Sequence, residues 1–230
     1  AWARRAPHPS ARGSSRWRET GPHAPPLRGS LPPEGVRFAL GRPGGETCPM
    51  NHDAVLAATR HWIEKAVIGL NLCPFARSVW VKNQVRIVVS HARHVDGLLD
   101  DLDRELDLLA STPADQIDTT LLVHPTLFPD FFVFNDFLGV VDDVVAEHDL
   151  EGVIQVAAFH PDWCFDGAEP DDITNATNRS PFPTLHLLRE DSVERAVSSE
   201  GGDAEAIVAR NVDTLRRLGH EGWRGLLSKD

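Results

Sequence analysis

Cysteine, methionine and tyrosine are scarce in this 230-residue chain, which has three Cys, one Met and no Tyr. No two of the cysteines lie close together, so the sequence contains neither a disulfide framework nor a CxxC metal site. Long apolar runs are also missing. No segment approaches the roughly 20 residues that a membrane span needs, and none resembles a secretion signal. These absences predict a soluble protein of a reducing compartment, most simply the cytoplasm.

Basic side chains are few in the larger part of the chain. Residues 1–49 hold eight Arg and three Glu, whereas residues 50–230 hold 15 basic and 31 acidic side chains, a net charge of −16. An acidic surface without a basic stripe repels phosphate backbones. We therefore expect no nucleic acid and no membrane among the partners of this protein.

The composition changes at Met50, the single methionine of the chain. Nine Pro and seven Gly fall among the 49 residues before it, without a helical or strand period. Such a segment buries too little apolar surface to offset its ordering entropy, so we expect residues 1–49 to be a disordered extension. Translation that begins at Met50 would explain the extension. The alternative is an organelle transit segment, since the stretch is Arg-rich and poor in acids.

Residues 50–230 are expected to form a single α/β domain, because their hydrophobic pattern alternates between helical and strand periods. The predicted helices cover residues 52–69, 95–110, 130–147 and 203–218, and the predicted strands cover residues 84–90, 119–123, 153–159 and 184–188. Strands that alternate with helices of this length indicate βαβ crossovers. The expected fold is a small sheet of about four strands with helices packed on it. The order of the strands does not follow from the pattern.

Two predicted strands end in the same dipeptide, His-Pro. His124 follows the strand over 119–123, and His160 follows the strand over 153–159. Both strands of a βαβ unit run in the same direction, so both histidines are expected at the carboxyl edge, where open α/β sheets bind ligands. If the strands are neighbours, the imidazoles lie within about 10 Å and can share a metal or a substrate. The alternative is that each histidine ends a strand and hydrogen-bonds a loop.

The segment after His160 is a polar loop of some 20 residues, longer than a connection needs. If residues 171–178 form a helical turn or two, Asn175 and Asn178 lie on one face. Arg179 adds a fork that suits a carboxylate or phosphate. The alternative is structural: the two Asn cap turns, and Arg179 forms an ion pair with Asp171 or Asp172.

Cys73, Asp136 and His186 are further candidates. Cys73 lies just past the first helix and before a proline, where a thiol with a neighbouring histidine becomes a nucleophile; core packing is the alternative. Asp136 lies early in the helix after His124, where it could bind a metal or orient a histidine. The alternative is that its negative charge stabilises the helix dipole. His186 lies within an apolar strand, where a polar group needs a partner or a site.

Four strings of residues carry a resemblance to a known family: Gly69–Phe75 (GLNLCPF), Asn135–Phe137 (NDF), Phe159–Pro161 (FHP) and Thr177–Glu190 (TNRSPFPTLHLLRE). Through them, the run from Trp62 to Val197 resembles a bacterial domain family of unknown function, number fourteen-fifteen. The last string is the most specific because of its length. That family usually has Gln where this chain has Cys164, which argues against a catalytic role for Cys164. The resemblance implies no reaction, substrate or cofactor.

The leading hypothesis is an enzyme with a polar site at the carboxyl edge of the sheet. A divalent metal would polarise an oxygen or activate water, and its predicted ligands are His124, His160 and His186. A small anionic substrate would bind to Asn175, Asn178 and Arg179. The predicted catalytic residues are Cys73, His160 and Asp136. Two alternatives remain, a thiol enzyme with Cys73 as nucleophile and a histidine as base, and a non-enzymatic binding or regulatory domain for a small anionic metabolite.

Overall fold

The structure is a computed structural model that describes residues 51–199, 201 and 203–228, so the predicted extension over residues 1–49 lies outside the described residues. The strands are β1 (Val85–Val89), β2 (Thr119–Val123), β3 (Ile154–Phe159) and β4 (Thr184–Arg189). The α-helices are α1 (His52–Trp62), α2 (Ala76–Val81), α3 (Val95–Ser111), α4 (Phe131–Glu147), α5 (Glu190–Ser199) and α6 (Ala204–Leu227). A π-helical turn, Ile63–Ile68, continues α1, and a 3-10 helix, Ile173–Asn178, precedes β4.

The four strands form one mixed sheet in the order β1-β2-β4-β3. β1 and β2 are parallel and are joined through α3, which is the predicted βαβ crossover. β4 is antiparallel to both β2 and β3 and lies between them. The α/β fold with a small sheet is therefore confirmed. The two His-Pro strands run in the same direction but are not neighbours, because the last strand inserts between them.

Each face of the sheet packs against its own set of helices, because successive strand residues point to opposite faces. α3 and α4 cover the face that we call the α3–α4 face, where Leu122 and Phe134 belong to one hydrophobic cluster. α1, the π-helical turn and α6 cover the other face, the α1–α6 face, where Leu121 and Trp62 belong to a second cluster. The domain is thus a central sheet between two helical layers.

The observed helices differ from the predicted ones mainly at their ends. The helix predicted over 52–69 changes from α-helix to a π-helical turn after Trp62. The last helix breaks at Gly219, where the sequence predicts its end, because the glycine takes a φ of 66°, outside the helical region. A further helical segment continues beyond this kink to Leu227. α2 and α5, which have six and ten residues, were not predicted. Within the described residues, no helix is both long and apolar enough to cross a membrane.

Candidate functional site

A small pocket lies on the α1–α6 face, between the sheet and the first helices, with a volume of about 50 Å³. Most of its lining is apolar, with aromatic walls from Trp62 and Phe159. The polar side chains of the lining are those of Cys73, Thr119, Thr177 and His186. No Asp, Glu, Lys or Arg side chain lines it. The pocket is therefore suited to an uncharged, largely apolar group.

Cys73 reaches this pocket because the first helix ends in an irregular turn. The π-helical turn leads to Gly69, where a Cβ would lie 2.2 Å from the carbonyl oxygen of Lys65, so a larger residue does not fit. Asn71 then takes a φ of 52°, a left-handed conformation that Asn tolerates well. The chain reverses here and brings Leu72 and Cys73 to the pocket. π-Helical turns occur frequently at functional sites.

His186 lines the pocket, and its hydrogen bond to Thr119 defines which ring nitrogen is an acceptor. Its Nε2 lies 2.7 Å from the hydroxyl oxygen of Thr119, and that hydroxyl donates to the carbonyl of Leu187 at 2.6 Å. A hydroxyl has one proton to donate, so its oxygen must accept the proton of Nε2. The Nδ1 atom of His186 consequently carries a lone pair, and within the described residues the only hydrogen bond of the ring is the one through Nε2.

Burial sets the protonation states of both pocket residues. It lowers the pKa of His186 to about 4, so the imidazole is neutral at physiological pH. It raises the pKa of the Cys73 thiol to about 11, although the backbone groups of Ala76 and Phe75 favour the thiolate. At neutral pH the pocket therefore contains a thiol and a neutral imidazole, and no ion pair.

The other two predicted metal ligands lie on the α3–α4 face, at the carboxyl edge of β2 and β3. The imidazoles of His124 and His160 flank the ring of Phe134, at centroid distances of 5.5 and 5.4 Å. His160 is buried, its Nε2 donates to the carbonyl of Phe128 at 2.9 Å, and its Nδ1 accepts from the backbone N–H of Asp162 at 3.0 Å. With both ring nitrogens engaged, His160 has no lone pair left for a metal.

His124 is fully buried, and neither of its ring nitrogens has a hydrogen-bond partner of good geometry. Burial lowers its pKa to about 3, and nearby His160 acts in the same direction. The backbone of His124 and of Leu127 favours the charged form without offsetting the burial. The neutral ring packs against Phe128 and Phe134 as an apolar side chain does.

The three predicted metal ligands do not converge. His186 is paired with Leu121 and Ala157 and faces the α1–α6 face, whereas His124 and His160 lie on the opposite side of the sheet. Among the residues that the structure describes, no group of three or more His, Cys, Asp and Glu side chains is arranged to hold a metal ion. The structure thus lends no support to the divalent metal that the sequence suggests.

The two predicted substrate-binding asparagines hold the loop after His160. They belong to the 3-10 helix over Ile173–Asn178, so the condition for a shared face, a helical turn within 171–178, is met. Asn175 accepts from the backbone N–H of Phe165 and donates to the carbonyl of Glu169, and it is fully buried. Asn178 donates to the carbonyl of Ala158. These bonds are structural, and substrate binding by the two side chains stays a prediction.

Arg179 also contacts the loop, through backbone carbonyls. Its Nε donates to the carbonyl of Trp163 at 3.2 Å and its guanidinium donates to that of Pro170 at 2.6 Å. No ion pair joins Arg179 to Asp171 or Asp172 in the described part of the chain. The guanidinium therefore fastens the loop to the end of the 3-10 helix.

Asp136 lies on the exposed side of α4, whereas its neighbour Asn135 is buried. A role for Asp136 as a metal ligand or as the partner of a histidine stays a prediction. The polar residue that sequence reasoning missed is Thr119. It begins β2 in an ordinary strand pattern, and only the insertion of β4 beside it reveals its role as partner of His186.

The fold and the site together define a mixed α/β domain with a small, mostly apolar pocket on one face of its sheet. Residues 54–225 match the model of a family described as "Protein of unknown function (DUF1415)", and the chain belongs to that family. The match confirms the resemblance found in the sequence. Three of the strings that carry it contribute side chains to the pocket, namely Gly69–Phe75, Phe159–Pro161 and Thr177–Glu190. Comparison with curated proteins and with solved structures gave no match.

Proposed function

We propose that this protein binds a small uncharged molecule in the pocket lined by Cys73 and His186. The observation that carries the proposal is Nδ1 of His186, an acceptor without a hydrogen-bond partner among the described residues, in a pocket whose lining is mostly apolar and contains no charged side chain. Ligand sites are typically apolar clefts in which a few polar groups fix orientation. A ligand with one O–H or N–H donor satisfies this acceptor, and its apolar part contacts Trp62 and Phe159.

The size of the pocket limits the ligand. One water needs roughly 10 to 15 Å³ of such volume, so a pocket of about 50 Å³ holds a group of only a few non-hydrogen atoms. A short alcohol is the simplest probe of this chemistry. Its isomeric ether has the same atoms but no donor, and comparison of the two isolates the contribution of the acceptor.

The test is a titration of the full chain with 1-butanol and with diethyl ether, followed by amide chemical shifts. We expect the shifts to centre on Cys73, Thr119 and His186, and the alcohol to bind more tightly than the ether. His186→Leu removes the acceptor and should abolish this preference. His124→Leu, a buried histidine on the opposite face, should retain it. Equal binding of both probes to the wild type, or an unchanged preference in His186→Leu, would contradict the proposal.

A thiol enzyme is the second candidate, because Cys73 and His186 line the same pocket. Its difficulty is the gap between a thiol pKa of about 11 and an imidazole pKa of about 4, which keeps the proton on sulfur. Such an enzyme would have to transfer the proton as the sulfur attacks an electrophilic substrate. A fast reaction of Cys73 with a small electrophile at neutral pH would favour this candidate over simple binding.

The metal-assisted enzyme that acts on an anionic substrate stays a prediction of the sequence. His124 retains unpaired ring nitrogens, and this is the single feature of the described residues that favours it. Metal analysis of freshly purified protein tests it directly. Stoichiometric metal that is lost from a His124→Ala, His160→Ala double variant would revive the hypothesis.

A further inference from the structure

A second pocket lies at the amino edge of the sheet, opposite the edge of the two His-Pro strands. Its volume is about 230 Å³, and its polar lining consists of Ser78, Lys82, Gln84, Asp118, Ser192 and Arg195. Gln84 precedes β1 and Asp118 precedes β2, while Arg195 belongs to α5, which follows β4. Three separate segments thus bring polar side chains to one cavity.

The one acidic side chain of this lining, Asp118, already has partners that balance its charge. The carboxylate of Asp118 is buried, accepts from the hydroxyl of Ser192 at 2.6 Å, and lies 3.9 Å from Nε of Arg189. Ser192 in turn accepts from the guanidinium of Arg195 at 2.8 Å, which orients that side chain toward the cavity wall. The negative charge of Asp118 is therefore balanced by Arg189, which is not part of the pocket lining.

The two cations of the lining have no such partner. Neither Lys82 nor Arg195 forms an ion pair with a carboxylate in the described residues. Both residues are exposed to solvent, in a chain whose net charge is −11. Arg195 keeps free N–H donors beside its bond to Ser192, and the amide of Gln84 adds a further donor.

From this arrangement we infer that the pocket binds a small molecule through an oxyanion group, a carboxylate or a phosphate. The guanidinium fork of Arg195 suits two oxygens of such a group, and Lys82 supplies a second charge. The inference is independent of the uncharged ligand proposed above, since the two pockets share only the wall formed by Phe75 and Val79. It also places the anion site away from Arg179.

The experiment titrates the full chain with inorganic phosphate and with succinate at low ionic strength, followed by amide shifts of Gln84 and Ser192. A Lys82→Gln, Arg195→Gln double variant should bind at least roughly tenfold more weakly than the wild type, about 1.4 kcal/mol. A matched Lys65→Gln, Arg217→Gln double variant removes the same charge from exposed residues outside both pockets and should bind as the wild type does. Melting temperatures establish that both double variants are folded.

The two probes separate the possible sources of the anion. Saturation by phosphate alone supports a phosphate-bearing ligand, saturation by succinate alone supports a carboxylate, and saturation by both supports the shared chemistry. The inference fails if neither probe saturates below about 10 mM. It also fails if both double variants lose the same affinity, since the effect would then be general electrostatics, or if the Lys82 and Arg195 variant binds as the wild type does.

Discussion

The imidazole of His186 and the hydroxyl of Thr119 meet across β4 and β2, with 2.7 Å between Nε2 and Oγ1. Because the hydroxyl donates its proton to the carbonyl of Leu187, this contact fixes which nitrogen of His186 carries hydrogen. The threonine therefore determines that Nδ1 is the acceptor of the pocket. In the proposed function, Thr119 thereby sets which group of a ligand the pocket recognises.

We expect Thr119→Val to lower the free energy of unfolding by about 1 to 3 kcal/mol, because the Nε2–H of His186 loses its acceptor inside the pocket. Thr119→Ser keeps the hydroxyl and should lose less, chiefly the packing of one methyl group. Urea denaturation of both variants measures the difference. Equal stability of the Val and Ser variants would show that the hydrogen bond contributes nothing.

The two His-Pro histidines should respond differently to the same substitution. His160→Leu removes bonds to the carbonyl of Phe128 and the N–H of Asp162, and we expect a loss of about 1 to 3 kcal/mol. His124→Leu removes no hydrogen bond of good geometry and should be nearly neutral or stabilising. Chemical denaturation provides the comparison, and a larger loss for His124→Leu would mean that its ring has an important partner.

Acid should destabilise the fold through its buried histidines. Burial lowers the pKa of His186 to about 4 and that of His124 to about 3, from an ordinary value of 6.5. Between these values the unfolded chain binds more protons than the folded chain, so the free energy of unfolding falls as the pH falls. The stabilising contribution is complete above about pH 6.5.

Urea denaturation between about pH 5 and 7.5 measures this slope before most carboxylates titrate. His124→Leu should make the slope shallower, because one proton fewer is taken up on unfolding. A flat profile in the wild type would mean that the buried imidazoles are charged or hydrated in the folded state.

Cys73 should react slowly in the folded protein. With Cys48 and Cys164 changed to Ser, alkylation of the remaining thiol at pH 8 should be roughly a hundredfold slower than in the urea-unfolded chain, because a pKa of about 11 leaves little thiolate. Mass spectrometry over time gives both rates. Rates within a factor of a few of each other would instead identify an activated thiol and favour the enzyme candidate.

Arg179→Lys should lower stability by about 1 to 2 kcal/mol, since an ammonium cannot reach the carbonyls of both Trp163 and Pro170. Asp171→Asn changes an exposed carboxylate that does not pair with Arg179, so it should have little effect. Thermal denaturation and the phosphate titration are measured on both variants. If Arg179→Lys kept its stability but lost phosphate binding, Arg179 would be a substrate-binding residue, as the sequence predicts.

The strands and the long helices were predictable because each has a clear hydrophobic period. The 3-10 helix that contains Asn175 was considered only as a condition for a shared face of the polar side chains. The insertion of β4 between β2 and β3 was not predictable, because periodicity describes each strand alone and carries no information on its neighbours. The face of His186 follows from its register, since it pairs with Leu121 and Ala157, which belong to the cluster on the α1–α6 face.

The partners of the histidines were equally hidden from the sequence. His160 contacts the backbone of Phe128, 32 residues earlier, and a backbone group leaves no trace in the residue pattern. Pro161 does explain why the chain turns at this point. The π-helical turn was missed for a related reason, since its apolar spacing differs from that of an α-helix by one residue per turn.

The place of β4 in the sheet has a consequence for how the chain folds during synthesis. β3 pairs with β4 alone among the described strands, and β4 comes last along the sequence. Until residue 189 has left the ribosome, β3 has no partner and one edge of β2 is open, so the nascent chain exposes strand edges that invite association with other chains. Fragments that end before Thr184 should therefore need a chaperone or aggregate, whereas the complete sheet closes in one late, non-local step.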